Sequence, residues 1–300
     1  MARSKEMDLT TGNPFRSLLK FAIPVILGNL FQLFYTLADS VIVGKTLGAD
    51  SLAAVGSTTA LINVFTNLFI GISLGANVLA ARYYALEKSK EMSETVHTAI
   101  AFALISGVGM AVIGLLMAKP ALELMGTPDD VIAKSTLYMR IYFCGMPFFM
   151  LYNYGAAILR AVGDTKRPLI FLLISGVINA ILNLFLVIQF HLDVAGVGIA
   201  TVISQLISCI LVLRCLYCSE SSYQFRPEKL NIRSSYLRQI FEVGIPAGIQ
   251  STVINLSNAM LQSSVNSFGS ISMAGYTAAN NIFGFLYVSI NSVTQACMSF

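Results

Sequence analysis

Long apolar runs alternate with short polar connections along the whole chain. Eight runs can be drawn, at about 18–43, 52–80, 96–117, 131–157, 168–189, 195–216, 237–267 and 274–300. Each is close to or above the roughly 20 residues that carry an α-helix across a hydrocarbon core. The pattern predicts an all-α polytopic membrane protein. The first run is the most clearly written: between Lys20 and Lys45 lie 24 residues with a single charge, Asp39. On a helix, Pro24, Gly28, Gln32, Tyr35 and Asp39 share one face, at spacings of 4, 4, 3 and 4. Ile23, Ile26, Leu30, Leu33, Phe34, Leu37 and Val41 take most of the rest. An acid at a helix centre costs roughly 3 kcal/mol on insertion scales, which makes it a functional candidate by default. Asp39 lies toward the far end of its span, so an interfacial or capping role is open as well.

Composition agrees with the pattern. Of 300 residues, 56% are hydrophobic and 11% charged, with a mean hydropathy of +0.73, whereas a soluble domain carries about 25% charged residues. The net charge of +4 follows topology and implies no nucleic-acid partner. The connections at one end hold fifteen Lys and Arg: four up to Lys20, three in 82–94, three in 160–167 and five in 214–238. Those at the other end hold two, Lys45 and Lys119, with Lys134 and Arg140 just inside the fourth span. By the positive-inside rule the N-terminus is cytoplasmic, in a multi-pass protein of the plasma or inner membrane. The first apolar run is longer than a signal-peptide core and no small-residue cleavage site closes it, so it reads as a retained helix.

The most polar of the long connections is 217–236, and after it the sequence starts again. Phe21-Ala-Ile-Pro24 answers to Val243-Gly-Ile-Pro246 at an offset of 222, and Leu47–Val55 answers to Phe268–Tyr276 at an offset of 221. Repeated halves are a habit of transporters, with the substrate site between them. The chain therefore divides into a cytoplasmic N-terminal segment (1–17), a first six-helix lobe (18–216), an inter-lobe linker (217–236) and the start of a second lobe (237–300). A full second copy would need four more spans than are present, which reads as a C-terminally truncated chain.

Other chemistry is sparse. The five cysteines lie mostly in apolar runs, and Cys215-Leu-Tyr-Cys218 has no second pair or His cluster to complete a zinc site. No His/Asp/Glu cluster at metal or acid–base spacing supports an enzyme or a cofactor. His97 and His191 lie near span ends, where interfacial positions are expected. Asn179 and Asn183 stand one turn apart on one face of the fifth span; paired amides in a membrane helix are satisfied by another helix or by cavity water. Asn153 is a third amide, on the fourth span. That span also gathers Tyr138, Tyr142, Phe143, Met146, Phe149, Met150, Tyr152 and Tyr154. These side chains suit either helix packing or an adaptable substrate wall, to which Met146, Met150 and Asn153 would belong.

Asn13–Pro24, Ala38-Asp-Ser-Val-Ile-Val-Gly44, Leu47–Gly56 and Leu159-Arg-Ala-Val-Gly-Asp-Thr-Lys-Arg-Pro168 resemble the multidrug and toxic compound extrusion (MATE) family. The resemblance covers essentially the whole chain. It implies twelve helices in two six-helix lobes forming a V, here the first lobe and about two helices of the second. It also implies a monomeric antiporter that exports small amphipathic or cationic molecules in exchange for protons or sodium. By the same resemblance Asp39 matches the first-helix acid that binds the coupling ion in the DinF-like branch. Gln32 and Tyr35 match polar partners of the same pocket, and Pro24 matches the proline where that helix bends. Where the family often shows Asn-x-x-x-Asp in the fifth helix, this chain reads Asn179-Ala-Ile-Leu-Asn183, leaving one acid in the lobe. An acid with two amides and a tyrosine suits either a proton site, the acid's pKa being raised by burial, or an oxygen-rich sodium site at Asp39, Asn179 and Asn183. A flippase for lipid-linked saccharides is the alternative; it would want several basic residues within the spans, and Arg140 is the candidate.

Overall fold

A computed structural model describes residues 14–124, 127, 129–266, 283–284, 286–287, 290–294 and 297; the side chains of 14–17, 33–41 and scattered later positions lie outside what it describes. The described chain is helical, with no strand among the described residues. In order the helices are α1 (Pro14–Thr46), α2 (Ala49–Ala85), α3 (Ser89–Leu124), α4 (Asp129–Cys144), α5 (Met146–Ala161), α6 (Lys166–Leu184), α7 (Asp193–Tyr217) and α8 (Ser234–Asn266). One π turn, Phe185–Gln189, extends α6, and a 3₁₀ turn, Pro227–Lys229, lies between α7 and α8.

The fourth apolar run, expected as one helix over 131–157, is two. It breaks at Gly145, whose N–H donates to the Tyr142 carbonyl at 2.9 Å while its carbonyl accepts from Phe148 N–H at 3.0 Å. Pro147 explains the break: it has no N–H to give, and its ring clashes with the carbonyl four residues back. Proline is tolerated in a first turn, which is where α5 places it.

α5 buries Met146, Met150, Tyr154, Ile158 and Leu159 against α2, α3 and α7. Its Gly155-Ala156-Ala157 run admits close neighbours: a Cβ on Gly155 would come within 2.9 Å of Val212 Cγ2 on α7. Small residues at such contacts are how helices approach where lipid is as apolar as leucine. On α3 the outer face carries Ile105, Val108, Val112 and Leu116, and on α6 it carries Ile170, Ile174, Val177 and Ile181, all exposed and suited to acyl chains.

Contacts at the two ends of the bundle fix the alternation of the spans. At one end Lys134 on α4 pairs with Asp193 at the start of α7 (2.8 Å), and Ser51 on α2 donates to the same carboxylate at 2.7 Å. Asp193 and the nearby His191 hold left-handed backbone, φ 41° and 49°. At the other end Asp164 caps Arg167 N–H at 3.2 Å and also pairs with its guanidinium, which reaches Cys215 Sγ on α7 at 3.1 Å. α1 packs on α6, and α8 lies along α2 and α3.

Candidate membrane cavity and buried amide pair

A cavity of about 340 Å³ opens among α1, α2, α4, α5, α6 and α7. Its size is within the range of small-molecule sites. Every element contributes neutral hydrogen-bonding groups. α1 gives Gln32; α2 gives Asn63, Thr66 and Asn67; α4 and α5 give Tyr138, Tyr142, Tyr152 and Asn153; α6 gives Ser175; and α7 gives Thr201, Ser204, Gln205 and Ser208. No charged side chain lines it among the described residues. Aromatic faces, amides and hydroxyls can hold a planar or amphipathic molecule in many orientations.

Behind the wall sit Asn179 and Asn183, with no exposed surface. Asn183 Nδ2 donates to Asn179 Oδ1 at 2.9 Å, as one helical turn allows. Asn179 Nδ2 in turn faces Thr201 Oγ1 at 3.5 Å and Ser204 Oγ at 3.4 Å. Both hydroxyls spend their hydrogen on their own helix, Thr201 on the Val197 carbonyl and Ser204 on the Thr201 carbonyl. Each is thus left as an acceptor for the amide. Thr201 and Ser204 belong to both places: they line the cavity and they contact Asn179. The packing of α6 on α7 therefore links the buried amides to the cavity.

The remaining sequence candidates divide. Gln32 lines the cavity from α1, and Asn153 lines it from α5 while donating to its own Phe149 carbonyl at 2.8 Å. α1 continues as helix through Tyr35 and Asp39, three and seven residues beyond Gln32, but those two side chains lie outside the described residues. Pro24 is buried within α1, which remains helical through it. Met146 and Met150, expected to line a substrate wall, do not. Both are fully buried in the core, while the cavity residues of α5 are Phe149, Tyr152 and Asn153. Arg140 is exposed and does not line the cavity. No cluster of three metal-ligating His, Cys, Asp or Glu occurs among the described residues.

Two polar stripes escaped the sequence reading. Asn63, Thr66 and Asn67 on α2, at i, i+3 and i+4, and Thr201, Ser204, Gln205 and Ser208 on α7, at i, i+3, i+4 and i+7, face the cavity. That spacing marks one helix face; in an apolar span it was the available signal.

The MatE family model matches residues 24–185, more than half of the chain. The chain belongs to the MATE family. It is 32% identical over 295 residues to a probable multidrug resistance protein, YoeA, of Bacillus subtilis, covering 95% of this chain and 63% of that protein. It is 22% identical over 289 residues to an FAD transporter of Shewanella oneidensis, covering 95% of this chain and 64% of that one. Among solved structures, a multidrug resistance MATE family transporter in an outward-facing conformation aligns with a TM-score of 0.90 at 22% identity, over all of this chain and 66% of that one. The fold of the MATE chain is thus the two-lobe helical fold, and the chain spans under two thirds of the length of the curated relatives it matches.

Proposed function

We propose that this MATE chain belongs to a secondary antiporter that exports organic cations and amphipathic drugs in exchange for protons or sodium by alternating access. The observation that carries the reading is the adjoining pair of sites: an uncharged, aromatic and amide-lined cavity, with a buried amide pair touching its α7 wall. Asp39 takes and returns the coupling ion. Asn179, Asn183, Tyr35 and Gln32 complete its polar surroundings, Asn153 contacts substrate, and Pro24 is where α1 flexes. Residues 18–216 form the first lobe, 217–236 the connection, and 237–300 begin the second lobe. The N-terminus faces the cytoplasm, the protein works as a monomer, and the membrane is the cell or inner membrane. The multidrug-resistance relative supports this reading.

The test is ethidium efflux from inverted vesicles under separately imposed pH and sodium gradients. Asp39→Asn is expected to abolish gradient-driven efflux while membrane insertion is unchanged. Normal efflux by that variant would overturn the assignment, and the gradient that drives the parent identifies the ion.

A further inference from the structure

Every Ser and Thr that lines the cavity among the described residues spends its hydrogen on its own helix. On α2, Thr59 donates to the Val55 carbonyl at 3.0 Å and Thr66 to the Ile62 carbonyl at 2.8 Å. On α6, Ser175 donates to the Leu172 carbonyl at 3.1 Å. On α7, Thr201, Ser204 and Ser208 donate to the carbonyls of Val197, Thr201 and Gln205 at 2.9, 2.8 and 3.0 Å. Bonding back to a carbonyl three or four residues earlier is what these side chains do inside a helix. A hydroxyl has one hydrogen and two lone pairs. With the hydrogen spent, each of these oxygens can only accept.

Thr201 and Ser204 already face the Asn179 amide. Thr59, Thr66, Ser175 and Ser208 receive no hydrogen from the protein among the described residues. Thr66, Ser175 and Ser208 are buried nonetheless, at 5%, 7% and 5% exposure. Gln205 adds another such acceptor, because its Oε1 is buried without a donor. Tyr152 has also spent its hydrogen, on the Pro168 carbonyl at 3.1 Å. The amides of Asn63, Asn67 and Asn153 do not redress the balance, since each brings a carbonyl along with its N–H groups. The wall is therefore biased toward accepting. An occupant that displaces water from such oxygens loses affinity unless it supplies hydrogens of its own.

We propose that the cavity selects flat aromatic molecules by the N–H groups on their rim. Aryl amines, amidines and lactams are held; rings of the same shape and charge without N–H are held weakly. The inference rests on reading the cavity as the substrate site of the proposed antiporter, and it narrows the substrate class of that site. Phe31, Tyr138, Tyr142 and Phe149 border the same space and pack on the ring. Thr66, Ser175, Ser208 and Gln205 Oε1 accept from the rim. These acceptors come from three helices, α2, α6 and α7, so they meet an occupant from more than one side. The hydrogen is read rather than the charge, because no carboxylate lines the wall among the described residues.

The test compares two cations on the purified protein in detergent micelles. Ethidium carries two aryl amino groups. Its deaminated analogue is the same flat phenanthridinium cation without them, and it is smaller, so weaker binding has no steric explanation. Ethidium binding is followed by fluorescence anisotropy and the analogue by competition. Ethidium is expected to bind roughly tenfold more tightly, the worth of one or two hydrogen bonds. Thr66→Val combined with Ser208→Ala deletes two acceptors and is expected to bring the ratio toward one by weakening ethidium alone. Equal affinities in the parent, or a ratio that the double variant leaves unchanged, overturn the inference. If the double variant fails to fold, the comparison in the parent decides. Gly176→Trp, which fills the cavity, tests the site separately. If it abolishes binding of both cations, equal affinities in the parent refute N–H selection and leave the substrate site standing. If ethidium binds that variant as it binds the parent, the substrate-site reading falls and the inference falls with it.

Discussion

α5 and α6 lie in the same bundle and bury opposite things. α5 turns Met146, Met150, Tyr154 and Ile158 inward, and its packing on α2, α3 and α7 is that of a conventional core. α6 turns Ser175, Asn179 and Asn183 inward and presents Ile170, Ile174, Val177 and Ile181 to the outside. In water the second arrangement would be inside-out. In lipid it costs little, because leaving apolar side chains outside forfeits no hydrophobic energy. The difference shows which helix holds the bundle together and which one the bundle encloses for its polarity.

Substitutions can break this contrast, and their expected effects run from large to small. Met150→Ala opens a hole in the α5 core and should cost about 2–5 kcal/mol, read as a lowered unfolding midpoint in micelles, with the substrate KM unchanged. Asn179→Leu removes the contacts to Thr201 and Ser204 and the hydrogen bond that Asn183 Nδ2 donates to Asn179 Oδ1. Membrane hydrogen bonds average about 0.6 kcal/mol, so the midpoint should move far less than in Met150→Ala. Lys134→Met breaks the pair with Asp193, which is partly exposed on both sides; screening limits the loss to about 0.2–1 kcal/mol. Ile181→Leu on the outer face of α6 should be within about 0.5 kcal/mol of the parent by the same unfolding assay. If Asn179→Leu instead proves as destabilising as Met150→Ala, α6 is a structural helix like α5 and the contrast fails.

Much of the helical architecture could be read along the chain, because run length is a one-dimensional property. Most of the described spans and the face of α1 bearing Gln32 are of that kind, and so is the single-turn spacing of Asn179 and Asn183; the eighth run, 274–300, lies mostly outside the described residues. Inward direction is not of that kind. Met146 and Met150 have the composition of a binding wall and share a helical stripe with Phe149 and Asn153, yet neighbouring helices bury them in the core while Phe149 and Asn153 line the cavity. The break at Gly145 was written in Pro147 but hidden by the uninterrupted apolar run around it. His97 could be placed near a span end, but its partner, Arg226, is 129 residues away in the chain. A tie of that kind exists only once the helices are assembled.

The most direct test of the account is gradient-driven ethidium efflux by Asn179→Leu beside Met150→Ala, each normalised to folded protein in the membrane. The account predicts an inversion: the less destabilised variant, Asn179→Leu, loses efflux, while Met150→Ala retains it. Efflux that survives in Asn179→Leu, or that falls in both variants in step with stability, would contradict a role for the inward face of α6 in handling the ion.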